Sequence, residues 1–192
     1  MPQIILASGS PRRQEILHWM GIAEFTVRVP QTEENCPAGL SPQETVEYIS
    51  LEKSRAVPSA PDEVVITADT MVFLDGKRLG KPRDEEDALA MLLALQGRRH
   101  IVCTGVTVRQ GERCISRAQT TEVWFRAASR EELCAYIRTG EPMDKAGAYG
   151  AQGRGSLLVE RINGDFFNVM GLPAALLGEM LTDFGIDPFS GG

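Results

Sequence analysis

Apolar residues recur along the chain in two rhythms, short β-branched runs and longer stretches at helical spacing, and the two alternate. Residues 4–7 form a short apolar run that leads into Ser8-Gly9-Ser10. Pro11 then suits the first position of a helix capped by Ser10, and that helix carries Ile16, Leu17 and Met20 before Gly21 stops it. A second strand is expected over residues 25–29, followed by a polar, acidic loop over 30–40. Ser41-Pro42-Gln43-Glu44 reads as a capping box opening a helix with a stripe at Val46, Ile49, Ser50 and Val57.

Residues 64–68 predict a strand ending at Asp69, strand character resumes over 71–74, and Asp75-Gly76 predicts a turn. Asp84 caps an Ala- and Leu-rich helix running to Gly97. Residues 101–108 and 120–125 predict two strands around a turn near Gln110-Gly111. Ser129 and Glu132 form a second capping box, with Gly140 closing the helix. A glycine-rich loop fills 147–155, a hairpin of 157–162 with 166–170 is expected around Asn163-Gly164, and a last helix follows Pro173. Neither a repeat nor a linker interrupts this alternation, which predicts an α/β fold of two joined lobes within one domain, 1–192.

Composition narrows the chemistry. Net charge is −6, from 20 basic and 26 acidic residues, which disfavours non-specific nucleic-acid binding. No apolar stretch approaches the roughly 20 residues of a membrane span. The first residues lack a basic leader and a long apolar core, so a cytoplasmic protein is expected and secretion is not. Cys36, Cys103, Cys114 and Cys134 are scattered and read as reduced thiols. With only His18 and His100, carboxylates are left to perform acid–base or metal chemistry.

Four segments carry candidate chemistry. Ser8-Gly9-Ser10-Pro11-Arg12-Arg13 turns from a strand into a helix N-terminus, where unpaired N–H groups, hydroxyls and two guanidinium groups suit an anion. Cations in a first helical turn oppose the helix dipole, a misfit that a bound anion would relieve. The plain alternative is a capped helix with solvated arginines. Lys53 falls on the apolar stripe of its helix, where it either snorkels or pairs with a structural carboxylate, or else faces a substrate. Asp69 ends an apolar strand, the place where open α/β sheets bind ligands, or else caps the following turn. Lys81-Pro82 brings a cation back toward that edge, and Glu33-Glu34 offers further carboxylates. Such carboxylates, with phosphate oxygens, suit Mg²⁺ or Mn²⁺. Glycines at 147, 150, 153 and 155 let a backbone pass close to a ligand.

Taken in order, these segments resemble the Maf family of nucleotide pyrophosphatases. The resemblance rests on Leu6-Ala7-Ser8-Gly9-Ser10-Pro11-Arg12-Arg13, Glu34, Glu52-Lys53, Ala68-Asp69-Thr70 and Gly80-Lys81-Pro82. It continues through Thr104-Gly105-Val106, Asp144-Lys145-Ala146-Gly147-Ala148-Tyr149-Gly150, Gln152-Gly153 and Asn168-Val169-Met170-Gly171-Leu172-Pro173. The resemblance implies a two-lobed mixed sheet with flanking helices and a deep central cleft, similar to inosine triphosphate pyrophosphatases. It implies hydrolysis of a nucleoside triphosphate between the α and β phosphates, with Asp69 as general base. Ser8, Arg12, Arg13, Lys53 and Lys81 match phosphate-binding positions, and Glu34 with Asp69 the metal-associated carboxylates for Mg or Mn. Arg12, Thr70 and Gln152 match the branch acting on dTTP and UTP. The branch resembling 7-methyl-GTP pyrophosphatases carries Trp, Gln and Glu there, suited to a methylated guanine. Relatives also suggest a homodimer. The family's link to septum formation gives a competing expectation, a nucleotide-binding regulator of division with little turnover.

Overall fold

The computed structural model describes residues 2–31 and 36–189. In chain order the elements are β1 (Gln3–Leu6), α1 (Pro11–Trp19), β2 (Thr26–Val27), α2 (Pro42–Arg55), β3 (Glu63–Leu74), β4 (Lys77–Leu79), α3 (Glu85–Leu95), β5 (Arg99–Gln110), β6 (Arg113–Phe125), α4 (Arg130–Ile137), β7 (Val159–Asn163), α5 (Phe166–Met170) and α6 (Ala174–Thr182). Three 3-10 turns lie between α4 and β7. The strands form a mixed sheet in the order β2-β1-β3-β5-β6-β7, with β4 added to β3. The α/β expectation is met.

The chain divides into two compact units, one of Met1–Asp69, Thr104–Gln119 and Gly171–Gly192, the other of Thr70–Cys103 and Thr120–Met170. In the first, β1 pairs in parallel with β2 and with β3, where Gln3–Leu6 meet Glu63–Ile66. Ile4, Ile5, Leu6, Val64, Val65 and Ile66 are all buried, as parallel strands covered on both faces require. α2 opens on the expected capping box, Ser41 Oγ accepting from Glu44 N–H and Glu44 accepting from Ser41 N–H. At its other end Arg109 donates to the carbonyls of Ser54 (2.9 Å) and Val57 (2.7 Å), serving backbone groups that a helix C-terminus leaves open.

In the second unit, α3 and α4 contribute Leu92, Leu95 and Leu133 to a core with Val102, Val123, Phe125 and Tyr149. Asp84 caps α3 through Asp87 N–H, and Ser129 and Glu132 form the capping box of α4. Asp75 and Gly76 both have positive φ, 50° and 74°, the turn that Asp-Gly predicts for the tight β3–β4 hairpin.

Three expectations are corrected. β3 is one unbroken strand through Asp69 and Thr70, so Asp69 lies inside it rather than at its end. The polar pair that looks like a break is retained because pairing resumes with β4 at Val72 after β1 leaves at Ile66. Residues 166–170 are a helix, not the second strand of a hairpin. There Asp165 turns the chain, its carboxylate accepting from Phe167 N–H at 2.7 Å, and Asn168 is drawn inward to donate to Val102 O and Thr121 Oγ1. β7 pairs instead with β6. Finally, Ser10 has cap geometry but its side chain makes no cap hydrogen bond.

His100 is buried among Phe125 and Tyr149, and its Nε2 shares a 2.8 Å hydrogen bond with Tyr149 Oη. Nδ1 is buried without a partner. Burial pushes the imidazole down from 6.5 to about 4. The unfolded chain therefore takes up this proton first, so the His100 contribution is complete above pH 6.5 and is lost as pH falls toward 4. Across that window His100 is expected to steepen the loss of stability by about 1 kcal/mol per pH unit. Urea unfolding of the wild type and of His100→Gln at roughly pH 7 and pH 5 checks this; parallel pH dependences would refute it.

Candidate active site

In the first unit Ser8, Arg12 and Arg13 follow the C-terminal end of β1, and Asp69 of β3 meets Lys53 of α2. The chain leaves β1 with Ala7 N–H bonded to Ile66 O (2.8 Å), keeping the parallel register as it enters the Ser8 turn. Ser8 is buried, and its Oγ accepts from Ser10 N–H (3.2 Å) and from Arg13 Nη1 (3.1 Å). With both lone pairs used, its own O–H is left to donate to an incoming acceptor. Arg13 is held a second time by Nε donating to Gly171 O at 2.8 Å. The guanidinium is thus aimed by two fixed acceptors at the N-terminus of α1. That helix has no acidic residue in its first turn and no side-chain cap, which preserves its positive end for an anion. Arg12 lies beside Arg13 in the same turn, half-buried.

Lys53 and Asp69 form the second group. Lys53 Nζ donates to Asp69 Oδ1 at 2.6 Å, with side chains only 15% and 6% exposed. Of the readings that periodicity leaves open for Lys53, pairing with a carboxylate is seen, and that carboxylate is the candidate base Asp69. Asp69 Oδ2 is buried and has no hydrogen-bond partner. Such an oxygen is costly unless water, substrate or a cation meets it.

The seating of α2 on the sheet decides this geometry. Thr67 Oγ1 donates to Ser50 O at 2.7 Å, and Ser50 Oγ shares a 2.7 Å hydrogen bond with Thr107 Oγ1, itself 2.8 Å from Ser116 Oγ. Thr67 and Asp69 lie two apart on one face of β3, while Ser50 and Lys53 lie three apart on one face of α2. Fixing the first pair therefore brings the second into reach. A Cβ at Gly105 would stand 2.2 Å from Val46 O, so only glycine lets the α2 backbone rest this close to β5. Sequence reasoning gave no role to Thr67, Thr107, Gly105 or the Gly171 carbonyl. The signals were Ser50, a hydroxyl on an otherwise apolar stripe, and the place of Gly105 and Gly171 in the segments that carry the resemblance.

Thr70, Lys81 and Gln152 belong to the second unit. Thr70 is half-buried in β3, Lys81 is exposed after β4, and Gln152 is exposed in the glycine-rich segment. Gly147 N–H donates to Gly80 O at 3.0 Å, so the segment that carries Gln152 is tied to the one that carries Lys81. The glycines of this segment make room for the chain itself. A Cβ at Gly147, Gly150 or Gly153 would meet Val72, Lys145 or Glu141, so the space is filled by the chain's own side chains.

Glu34 lies outside the described residues. Among the described residues no three His, Cys, Asp or Glu side chains cluster as a metal site. The unpartnered Asp69 Oδ2 still fits a hard divalent cation that takes most of its ligands from water and phosphate, as Mg²⁺ does.

A family model described as Maf-like protein matches residues 3–184. A protein of Symbiobacterium thermophilum named dTTP/UTP pyrophosphatase is 49% identical, covering 100% of this chain and 99% of its own. Proteins of the same name from Bacillus pumilus and Methanosarcina barkeri are 45% and 46% identical, each spanning at least 98% of both chains. The solved structure of the Staphylococcus aureus Ham1 protein superposes with a TM-score of 0.53 at 15% identity, covering 96% of this chain and 100% of that one. That likeness concerns the fold alone.

The Lys53–Asp69 pair generates a stability prediction. Lys53→Met strands a buried carboxylate with neither oxygen paired, and is expected to cost about 3 kcal/mol. The double variant Lys53→Met/Asp69→Asn should lose much less than the sum of the two single losses. Urea unfolding of the four proteins gives the coupling; a Lys53→Met protein more stable than wild type would show that the pair does not hold α2 on β3.

Proposed function

The chain belongs to the Maf-like family, and from that premise we propose that it hydrolyses dTTP and UTP to the nucleoside monophosphate and pyrophosphate. The observation that carries the mechanism is the buried Asp69 carboxylate, pinned by Lys53 through one oxygen and unpartnered at the other. Water hydrogen-bonded to Oδ2 attacks the α-phosphorus, its proton passes to Asp69, and the bond from the α-phosphorus to the bridging oxygen breaks. Lys53 counters the carboxylate's charge and holds its orientation. Ser8 O–H, Arg13, Arg12 and the α1 N-terminus stabilise phosphate oxygens as charge moves onto the departing pyrophosphate, with Lys81 as a further cation. Asp69 and Glu34 would hold a divalent Mg or Mn ion, which would supply charge neutralisation on the phosphates.

Arg12, Thr70 and Gln152 are the proposed specificity residues. Arg and Gln offer donors to the carbonyls of uracil or thymine, whereas the 4-amino group of cytosine presents a donor to donors. The relatives named dTTP/UTP pyrophosphatase support this branch over a 7-methyl-GTP pyrophosphatase. The same reading takes the chain as a cytoplasmic enzyme with a nucleotide partner and no nucleic acid. No helix among the described residues is long and apolar enough to cross a membrane.

Two measurements test this reading. Asp69→Asn should retain the fold and lower kcat by roughly 10²–10⁴-fold; turnover close to wild type would remove Asp69 as the base. Under one metal and pH, kcat/KM should rank dTTP and UTP first, CTP about tenfold or more lower, and 7-methyl-GTP lower still. A lead for CTP or 7-methyl-GTP would overturn the branch.

A further inference from the structure

Outside the proposed catalytic groups, the second unit contains one carboxylate whose surroundings are unusually complete. Glu141 follows α4 and sits within the turns that precede the glycine-rich segment. Its Oε1 accepts from Tyr136 O–H (2.8 Å) and Gly155 N–H (3.0 Å), and its Oε2 accepts from Arg154 N–H (2.9 Å). Tyr136 Oη in turn accepts from Gly150 N–H at 3.1 Å. Lys145 Nζ donates to Glu141 O at 2.7 Å, so the acidic residue is also anchored through its backbone.

These bonds grip the backbone on both sides of Gln152, at Gly150 before it and at Arg154 and Gly155 after it. The glycine spacing has the same origin. A Cβ at Gly153 would lie 2.5 Å from Glu141 Oε2, and one at Gly155 would lie 2.6 Å from Tyr136 Oη. The loop closes around the carboxylate only because it has no side chains there. Burial works to raise the Glu141 carboxyl, but the bonds from Gly155, Arg154 and Tyr136 outweigh it and hold the group below its ordinary range. It therefore accepts as a carboxylate throughout the neutral range. Gln152 itself is exposed at the top of this clamp.

We infer that Glu141, with Tyr136, is a positioning residue for substrate choice, fixing the loop so that Gln152 presents its amide to the nucleobase at one angle. This rests on the proposed role of Gln152 in pyrimidine selection. Glu141 touches no reacting atom in this scheme, so its loss should raise KM and erase discrimination more than it lowers kcat.

The experiment compares kcat and KM for UTP and CTP in wild type, Gln152→Ala, Glu141→Ala and the double variant. Gln152→Ala should reduce the UTP-over-CTP preference by about tenfold. Glu141→Ala should reproduce that reduction, and the double variant should fall no further. Glu141→Gln, which keeps one acceptor oxygen, should restore part of the preference. Gly153→Ala, which crowds the carboxylate without removing it, should behave like Glu141→Ala. If Glu141→Ala does not fold, Glu141→Gln, Tyr136→Phe and Gly153→Ala carry the comparison, each expected to shift the preference toward that of Gln152→Ala. If Gln152→Ala lowers the preference while the Glu141, Tyr136 and Gly153 variants keep the wild-type ratio, the clamp is merely structural and the inference is wrong. A Gln152→Ala protein with wild-type preference would sink both the role of Gln152 and the inference built on it.

Discussion

A lysine ammonium and an aspartate carboxylate held 2.6 Å apart and largely removed from water must be positioned well, because either alone would be a costly buried charge. Neither side chain sets that distance by itself. It follows from where α2 rests on the sheet, which is decided by the Thr67–Ser50 bond, the Ser50–Thr107–Ser116 chain of hydroxyls and the bare backbone of Gly105. Arg109 then secures the C-terminal end of the helix. The pair satisfies one oxygen of Asp69 and leaves the other buried and open. That asymmetry makes the carboxylate fit for chemistry rather than for structure alone.

The Ser8 turn shows the same economy. The α1 N-terminus lacks acidic residues and a side-chain cap, features that would ordinarily stabilise a helix start. Its Arg13 is aligned by two neutral acceptors, Ser8 Oγ and Gly171 O, which direct the guanidinium. An anion is the natural complement of such an end. In the second unit the roles are reversed: a negative carboxylate at Glu141 collects backbone N–H groups and shapes the loop from within.

Much of this was legible in residue order. Capping boxes at Ser41 and Ser129, the Asp84 cap and the Asp75-Gly76 turn are local, because a side chain three residues from its backbone partner needs no other part of the fold. Ser8, Arg12, Arg13, Lys53 and Asp69 stood out as candidates from type and spacing, and the structure sets Lys53 against Asp69 and Arg13 against Ser8. The misreadings were non-local. Residues 166–170 have strand composition but form a helix, since Asn168 is claimed by Val102 O and Thr121 Oγ1 from far along the chain. β3 runs through Asp69 between β1 and β5, neighbours that lie far from it in sequence.

The division has a physical basis. By itself the sequence determined the alternation of strands and helices, the places where helices begin, the cationic strand-to-helix turn, and a carboxylate beside an apolar run. These are consequences of periodicity, capping and charge, which act over a few residues. Only the tertiary structure decided that Lys53 spends its charge on Asp69, and that Gly105 must be bare for α2 to lie flat. It also decided that the glycines around Gln152 yield space to Glu141 and Tyr136. Those facts depend on distances between segments a dozen or more residues apart, and packing alone fixes such distances.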